Sequence, residues 1–201
     1  MIKATILITN YNYEKWLRRC IRSCLNQSLP RCQFEIIVVD DASTDNSKDI
    51  LLDYKDEENF KVIFNQKNKG VGYSANKGSR IARGKWIVRV DADDYVHSEF
   101  LNFLMLYAES NKSKAVACDY VMVDFDENTI SRNKQKEEPI ACAILYRTDV
   151  LEYIGSWSAN HTIDEDKEIH ERYTKSFDID YLNVPLYRYF QHEGSLSGRG
   201  F

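Results

Sequence analysis

From the N-terminus to about residue 124, short apolar runs alternate with segments whose apolar residues recur at helical spacing. Residues 4–8, 34–39, 61–64, 85–90 and 115–123 are apolar runs that predict strands. Residues 14–27 place Trp16, Leu17, Cys20, Ile21, Cys24 and Leu25 at helical spacing. Residues 46–54, with Asp45 or Ser43 as cap, predict a second helix, and residues 74–82 and 98–109 two more. Ile6-Leu7-Ile8 and Ile36-Ile37-Val38-Val39 are unbroken rather than alternating, as strands buried on both faces must be. Strands alternating with helices imply βαβ units. The expected fold is therefore α/β, a Rossmann-like, mostly parallel central sheet with helices on both faces.

After residue 124 the pattern loosens. Residues 126–138 read as a polar loop or edge hairpin, and 149–154 as a short helix ending at Gly155. Residues 164–175 read as a helix with acids in its first turn, 181–189 as a strand, and 194–201 as a mobile tail.

Length and charge narrow the picture. The chain's 201 residues suit a single domain. Its formal net charge of −4 disfavours gripping nucleic acid through a basic face. The apolar N-terminal stretch is too short for a signal peptide or a membrane span, and no other segment approaches a spanning length. The cysteines, 5 in number, form no CxxC pair and no zinc spacing, which fits reduced thiols in a cytoplasmic protein. Cys20 and Cys24, four apart on a helix, read as core-facing.

Polar residues gather where the strands end: Thr9-Asn10-Tyr11-Asn12, Asp40-Asp41 and Asp91-Ala92-Asp93-Asp94. In an open parallel sheet these ends line one edge, where ligands bind. Carboxylates at 91, 93 and 94 repel one another, and a divalent cation relieves that repulsion. Oxygen ligands suit magnesium or manganese, which keep positions for water and substrate phosphates. The bland alternative is a solvated turn before the next helix. Asp40 or Asp41 would accept a hydrogen bond from a base, with Thr9 alongside and Tyr11 stacking on its face. The loop from Asn68 through Gly70 and Gly72 enters a helix whose N-terminus favours an anion, although the P-loop pattern is absent. Lys69 and Lys77 there are either phosphate contacts or solvated side chains. Asp164-Glu165-Asp166 opens a helix; its acids either complement the helix dipole or supply a general base. His192 is a surface histidine or a metal or phosphate contact.

These motifs together resemble glycosyltransferase family 2, the nucleotide-diphospho-sugar transferases of GT-A fold. Thr5 through Asn12 resembles the opening strand with its "TYN"-like end. Ile36 through Asp45 resembles "IVVDDGSTD", with Ala42 in the usual glycine place. Asn68 through Gly78, then Ala82 through Ile87, resembles "N-x-G…A-x-N-x-G…A-x-G-x-[YW]-I". Asp91-Ala92-Asp93-Asp94 is similar to the "D-x-D-D" metal motif, and Asp164 through Glu168 to "E-D-x-E". Leu186 through Ser197 resembles "YR-x-H-x-x-S-x-S", with an extra residue between Arg188 and His192.

The resemblance implies roles. Thr9, Tyr11, Asp40 and Asp41 would hold base and ribose, uracil being the common case, with Asn68, Gly70 and Ala92 completing the nucleotide site. Asp91 and Asp93 would serve the ribose and the metal–diphosphate, with His192 a metal ligand and Arg188 on the diphosphate. Asp166 would be the catalytic base, supported by Glu165. The implied partners are a nucleotide-diphospho-sugar donor and a glycan or lipid-linked acceptor; the implied cofactor is Mn2+ or Mg2+. Residues 1–123 would form the donor half, and 124–201 the acceptor half with its tail. A partner protein or a peripheral membrane contact would complete the acceptor pocket. Two other readings compete. A nucleotidyltransferase expects a glycine- and basic-rich loop after the first strand, and residues 9–13 carry neither. A non-catalytic nucleotide-sugar-binding module would be free to lose Asp164-Glu165-Asp166, which is intact.

Overall fold

The computed structural model describes residues 1–140, 142–159 and 165–192, without the side chains of Glu165 and Asp166. In chain order its elements are β1 (Ala4–Asn10), α1 (Glu14–Leu25), β2 (Phe34–Asp40), α2 (Ser47–Leu52), β3 (Phe60–Phe64), α3 (Val71–Ser79), β4 (Trp86–Asp91) and β5 (Tyr95–Val96). There follow α4 (Phe100–Asn111), β6 (Ala115–Val123), β7 (Thr129–Asn133), β8 (Ile144–Arg147), α5 (Thr148–Tyr153), α6 (Glu165–Thr174) and β9 (Asp180–Phe190). A short 3₁₀ turn, Arg31–Gln33, leads into β2.

Among the described residues the strands form one sheet in the order β3-β2-β1-β4-β8-β6-β9-β5, with β7 on β6. β3, β2, β1 and β4 are mutually parallel. β8 enters antiparallel to both β4 and β6, so the sheet becomes mixed beyond β4. The apolar pattern does not foretell β8 because four residues are too few to show a period. The polar segment 126–138 contains β7, an edge strand, as the hairpin reading expects.

The unbroken apolar strands are sandwiched as their composition requires. Ile6, Ile8, Ile36, Val38, Val88 and Val90 join the core under α1, α2 and α4. Leu7, Ile37, Val39 and Ile87 join the opposite core under α3, α5 and α6. On α1, Leu17, Cys20, Ile21 and Cys24 are fully buried at i, i+3, i+4 and i+7. Of these, Leu17 and Ile21 each contribute roughly 1.5–3 kcal/mol of transfer energy. Glycine brings β1 and β4 together: a Cβ on Gly84 would lie 2.5 Å from the Thr5 nitrogen and 2.6 Å from the Ala4 carbonyl carbon.

Beside Gly84, Glu35 on β2 is fully buried. It accepts bonds from Thr5 Oγ1 (3.1 Å), Lys61 Nζ (3.1 Å) and the Arg83 backbone (2.6 Å) and Nε (2.9 Å). Burial opposes ionisation, yet these donors outweigh it and hold the carboxyl below its usual range. At the opposite ends of the strands, α1 and α2 share their N-terminal donors. Asp45 accepts from the Glu14 nitrogen (2.9 Å) and the Ser47 nitrogen (2.9 Å), and Glu14 accepts from the Asn46 nitrogen (2.7 Å). The N-cap of α2 is Asn46, neither Asp45 nor Ser43; Asp45, one residue earlier, takes up the Ser47 nitrogen.

Candidate functional site

The parallel register brings the polar strand ends together. Asn10 lies opposite Asp40 on one side of β1, and Thr9 opposite Asp91 on the other. Thr9 is nearly buried between them, whereas Tyr11 is 42% exposed and offers its ring at the edge. The two aspartates ending β2 have different partners. Asp40 accepts from Asn10 Nδ2 (2.7 Å), Ser43 Oγ (2.6 Å) and the Ser43 nitrogen (3.1 Å), which ties β1 to the turn after β2. Asp40 thus acts as a strut. Ala42, two residues on, has φ 62°, the left-handed region that favours glycine. Asp41 faces the other way and clamps the next loop. It accepts from Asn65 Nδ2 (2.7 Å), the Lys69 nitrogen (2.9 Å) and the Gly70 nitrogen (2.7 Å). Gly70, at φ 87°, turns that loop into α3. Asn68, exposed, accepts from the same Gly70 nitrogen (3.2 Å). Lys77 donates to Asn65 Oδ1 (2.7 Å), so it supports the clamp from below.

The DADD stretch sorts its acids by burial. Asp91 keeps a side chain 31% exposed and pairs with the buried Arg89 (3.3 Å). Ala92 points its methyl into the core, so only its backbone is available to a nucleotide. Asp93 faces His192 across 99 residues of chain, with Oδ2 3.0 Å from Nε2. Asp94 is an internal latch. It accepts from the Tyr187 hydroxyl (2.6 Å) and from the Phe190 nitrogen (2.8 Å), and that hydroxyl in turn accepts from the Asp91 nitrogen (3.2 Å). The strand carrying His192 is therefore anchored to the acidic stretch by the acid that faces away from solvent. Burial pushes the Asp94 carboxyl well above the usual carboxylate range, and the charges of Asp93 and Asp91 add to the shift. Burial also raises Asp93; His192 opposes the rise and Asp91 adds to it.

These observations bear on a metal. Carboxylates whose mutual charge opposes ionisation, with an imidazole nitrogen alongside, form a donor set suited to Mn2+ or Mg2+, the imidazole favouring Mn2+. Among the described residues no three His, Cys, Asp or Glu side chains converge as a complete cage. Two protein ligands leave the remaining positions to water and substrate oxygens, as is usual for such ions.

Other expected residues stand differently. Arg188 donates to the Pro185 carbonyl (2.8 Å), back along β9 and away from the strand end. It does not join the Asp91–Asp93 cluster here, because its guanidinium is held by its own strand. Glu165 and Asp166 open α6, but their side chains, Asp164 and the tail 194–201 lie outside the described residues. Trp16, Arg19 and Asn65 were not expected at the site, whereas Asp94 and Tyr187 were expected only as members of the DADD and YR motifs and not as partners of one another. Trp16 and Arg19 read only as part of an amphipathic helix.

The chain is similar to known proteins. The Glycosyl transferase family 2 model matches residues 5–180. The poly(ribitol-phosphate) beta-glucosyltransferase of Bacillus spizizenii is 42% identical over 114 residues, 56% of this chain and 18% of that protein. Staphylococcus aureus TarS 1–349, solved in complex with UDP-GlcNAc, has a TM-score of 0.83 at 23% identity, covering 100% of this chain and 62% of that one. The mannosyltransferase PcManGT from Pyrobaculum calidifontis, solved with GDP-Man and Mn2+, has a TM-score of 0.73 at 15% identity, covering 92% and 56%. The structural likeness establishes the GT-A fold. This chain spans less than two thirds of the length of each of these proteins. No helix among the described residues is long and apolar enough to cross a membrane. With a family model matched over residues 5–180, this chain belongs to glycosyl transferase family 2.

Proposed function

We propose that this chain is a metal-assisted, inverting glycosyltransferase that moves a sugar from a UDP-sugar to a hydroxyl of a glycan or lipid-linked acceptor. The observation that carries the reading is the pairing of Asp93 with His192 at the strand edge, beside Asp91 and next to Thr9. The UDP-GlcNAc complex of TarS supports a UDP-sugar donor, and the poly(ribitol-phosphate) relative supports a polymeric acceptor.

In this reading Tyr11 stacks on the base, while Asp41 accepts its N–H and keeps the 68–70 loop closed around it. Thr9 and Asp91 meet the ribose, and the Ala92 backbone lies beneath it. Asp93 and His192 hold the cation, Mn2+ or Mg2+. Once bound, the cation supplies Lewis-acid stabilisation of the diphosphate leaving group. Asp166, at the start of α6, takes the proton of the acceptor hydroxyl, and Glu165 supports it. The acceptor oxygen bonds to the anomeric carbon from the face opposite the diphosphate. The anomeric carbon–oxygen bond breaks and its electron pair leaves with the diphosphate, so the configuration inverts. Arg188 reaches the diphosphate only by releasing the Pro185 carbonyl.

A thermal-shift screen of nucleoside diphosphates with and without Mn2+ tests the donor site. UDP with Mn2+ should stabilise the protein, and Asp93→Ala should abolish the metal-dependent part of the shift. If no nucleotide stabilises the protein with metal, the donor reading fails. Asp166→Asn should keep UDP binding and lose transfer; unaltered turnover would remove Asp166 as the base.

A further inference from the structure

Helix α1 presents two side chains, three residues apart and so on one face, to the end of β9 and the acidic turn. The Trp16 ring lies 4.0 Å, centroid to centroid, from the His192 imidazole, with 31° between their planes. Phe190 stacks on the same imidazole at 5.2 Å and 30°, and Tyr13 meets it edge-on at 6.2 Å. One turn along, Arg19 donates to the Asp93 carbonyl (2.8 Å), its guanidinium 4.5 Å from the Tyr95 ring centroid and 4.4 Å from that of Phe190. One helix face therefore touches the ring of one proposed metal ligand and the backbone of the other.

The direction of the stack matters more than its energy. An imidazole coordinates through a lone pair lying in the ring plane. The His192 imidazole, 6% exposed, is enclosed by rings, and the planes of those rings decide which way Nε2 points. An indole tilted 31° to the ring at 4.0 Å fills one face of the imidazole and leaves its edge toward Asp93 Oδ2. The other tryptophans, Trp86 and Trp157, are core residues at 2% and 1% exposure, whereas Trp16 is only partly buried beside the site.

We propose that Trp16 is a positioning residue for metal binding: its indole sets the plane of His192 so that Nε2 and Asp93 hold the same cation. The inference rests on the reading of Asp93 and His192 as the metal pair. Residues that orient a metal-ligating imidazole typically change metal affinity by about 10–100-fold when removed.

The test uses the intact chain with UDP and reads bound Mn2+ from the loss of the free-ion electron paramagnetic resonance signal. His192→Ala reports on the underlying reading, and Trp16→Ala on the inference. Trp16→Ala should raise the Mn2+ dissociation constant by about tenfold, with metal-free UDP affinity unchanged. Trp16→Phe, which keeps a planar ring, should retain most of the affinity; Trp16→Leu, which keeps only apolar packing, should not. In a His192→Ala background, Trp16→Ala should add nothing, because Trp16 acts through that ring. Wild-type Mn2+ affinity in Trp16→Ala or Trp16→Leu would overturn the proposal. So would an equal loss of metal-free UDP binding, or a full further loss in the double variant. If His192→Ala itself binds Mn2+ normally, the metal pair is wrong and the inference falls with it. Should Trp16→Ala not fold, the Phe and Leu variants carry the same comparison.

Discussion

Replacing Tyr187 with phenylalanine removes one oxygen atom from beneath the candidate site and leaves the ring packed against Phe100. The hydroxyl is fully buried and serves two partners, donating to Asp94 at 2.6 Å and accepting from the Asp91 nitrogen at 3.2 Å. Without it, Asp94 Oδ2 has no donor among the described residues in a position 1% exposed. A buried polar group left unsatisfied costs about 1–3 kcal/mol, and the longer bond falls at the weak end, so the two losses together cost about 3 kcal/mol. In a chain of this length each kcal/mol moves the melting temperature by about 2–4 °C, giving a drop of about 6–12 °C. Urea unfolding should show the same loss with an unchanged slope. Because Asp94 also fixes Phe190, the loosened strand end should weaken the Mn2+-dependent stabilisation by UDP. A Tyr187→Phe/Asp94→Ala cycle should show coupling of at least about 1 kcal/mol. A loss below about 1 kcal/mol, or additivity within about 0.5 kcal/mol, would refute the latch.

Three further outcomes are expected. Glu35→Gln should cost about 2 kcal/mol near neutral pH, since its carboxylate accepts charge-assisted bonds while fully buried. Its folded pKa is lowered, so this contribution is complete above the unfolded value of about 4.3 and disappears as pH falls through the folded one. Urea titrations should show the gap between wild type and variant closing in acid, and a pH-independent gap would contradict the assignment. Ala42→Gly should stabilise the fold by about 1 kcal/mol, because alanine at φ 62° carries the left-handed penalty that glycine escapes; an unchanged melting temperature would count against it. Gly84→Ala should cost about 3 kcal/mol or more, because the added carbon meets backbone, which has no rotamer to yield; near-normal stability would mean that β1 and β4 are less close.

Much of the architecture was legible because strands buried on both faces leave unbroken apolar runs, and these runs ended in polar clusters. The edge gathering Thr9, Tyr11, Asp41 and Asp91 followed from parallel topology alone. Element boundaries shifted where capping was misplaced: α3 starts at Val71, since Gly70 makes the turn, and α2 starts at Ser47 after an Asn46 N-cap. β8 was missed because it is short and lies between two long strands that run antiparallel to it.

By itself the sequence determined the α/β class, the edge where the polar strand ends meet and the residue types gathered there. Those depend on local periodicity and on the ends of strands, which neighbouring residues encode. Only tertiary structure decided which acid does what. Asp40 and Asp41 are chemically identical neighbours, yet opposite directions make one a strut and the other a clamp. Asp91, Asp93 and Asp94 are likewise separated by burial: one half-open, one on His192, one locked to Tyr187. The Asp93–His192 and Asp94–Tyr187 contacts join residues more than ninety positions apart, and they exist only once crossover and register have put β9 beside the end of β4.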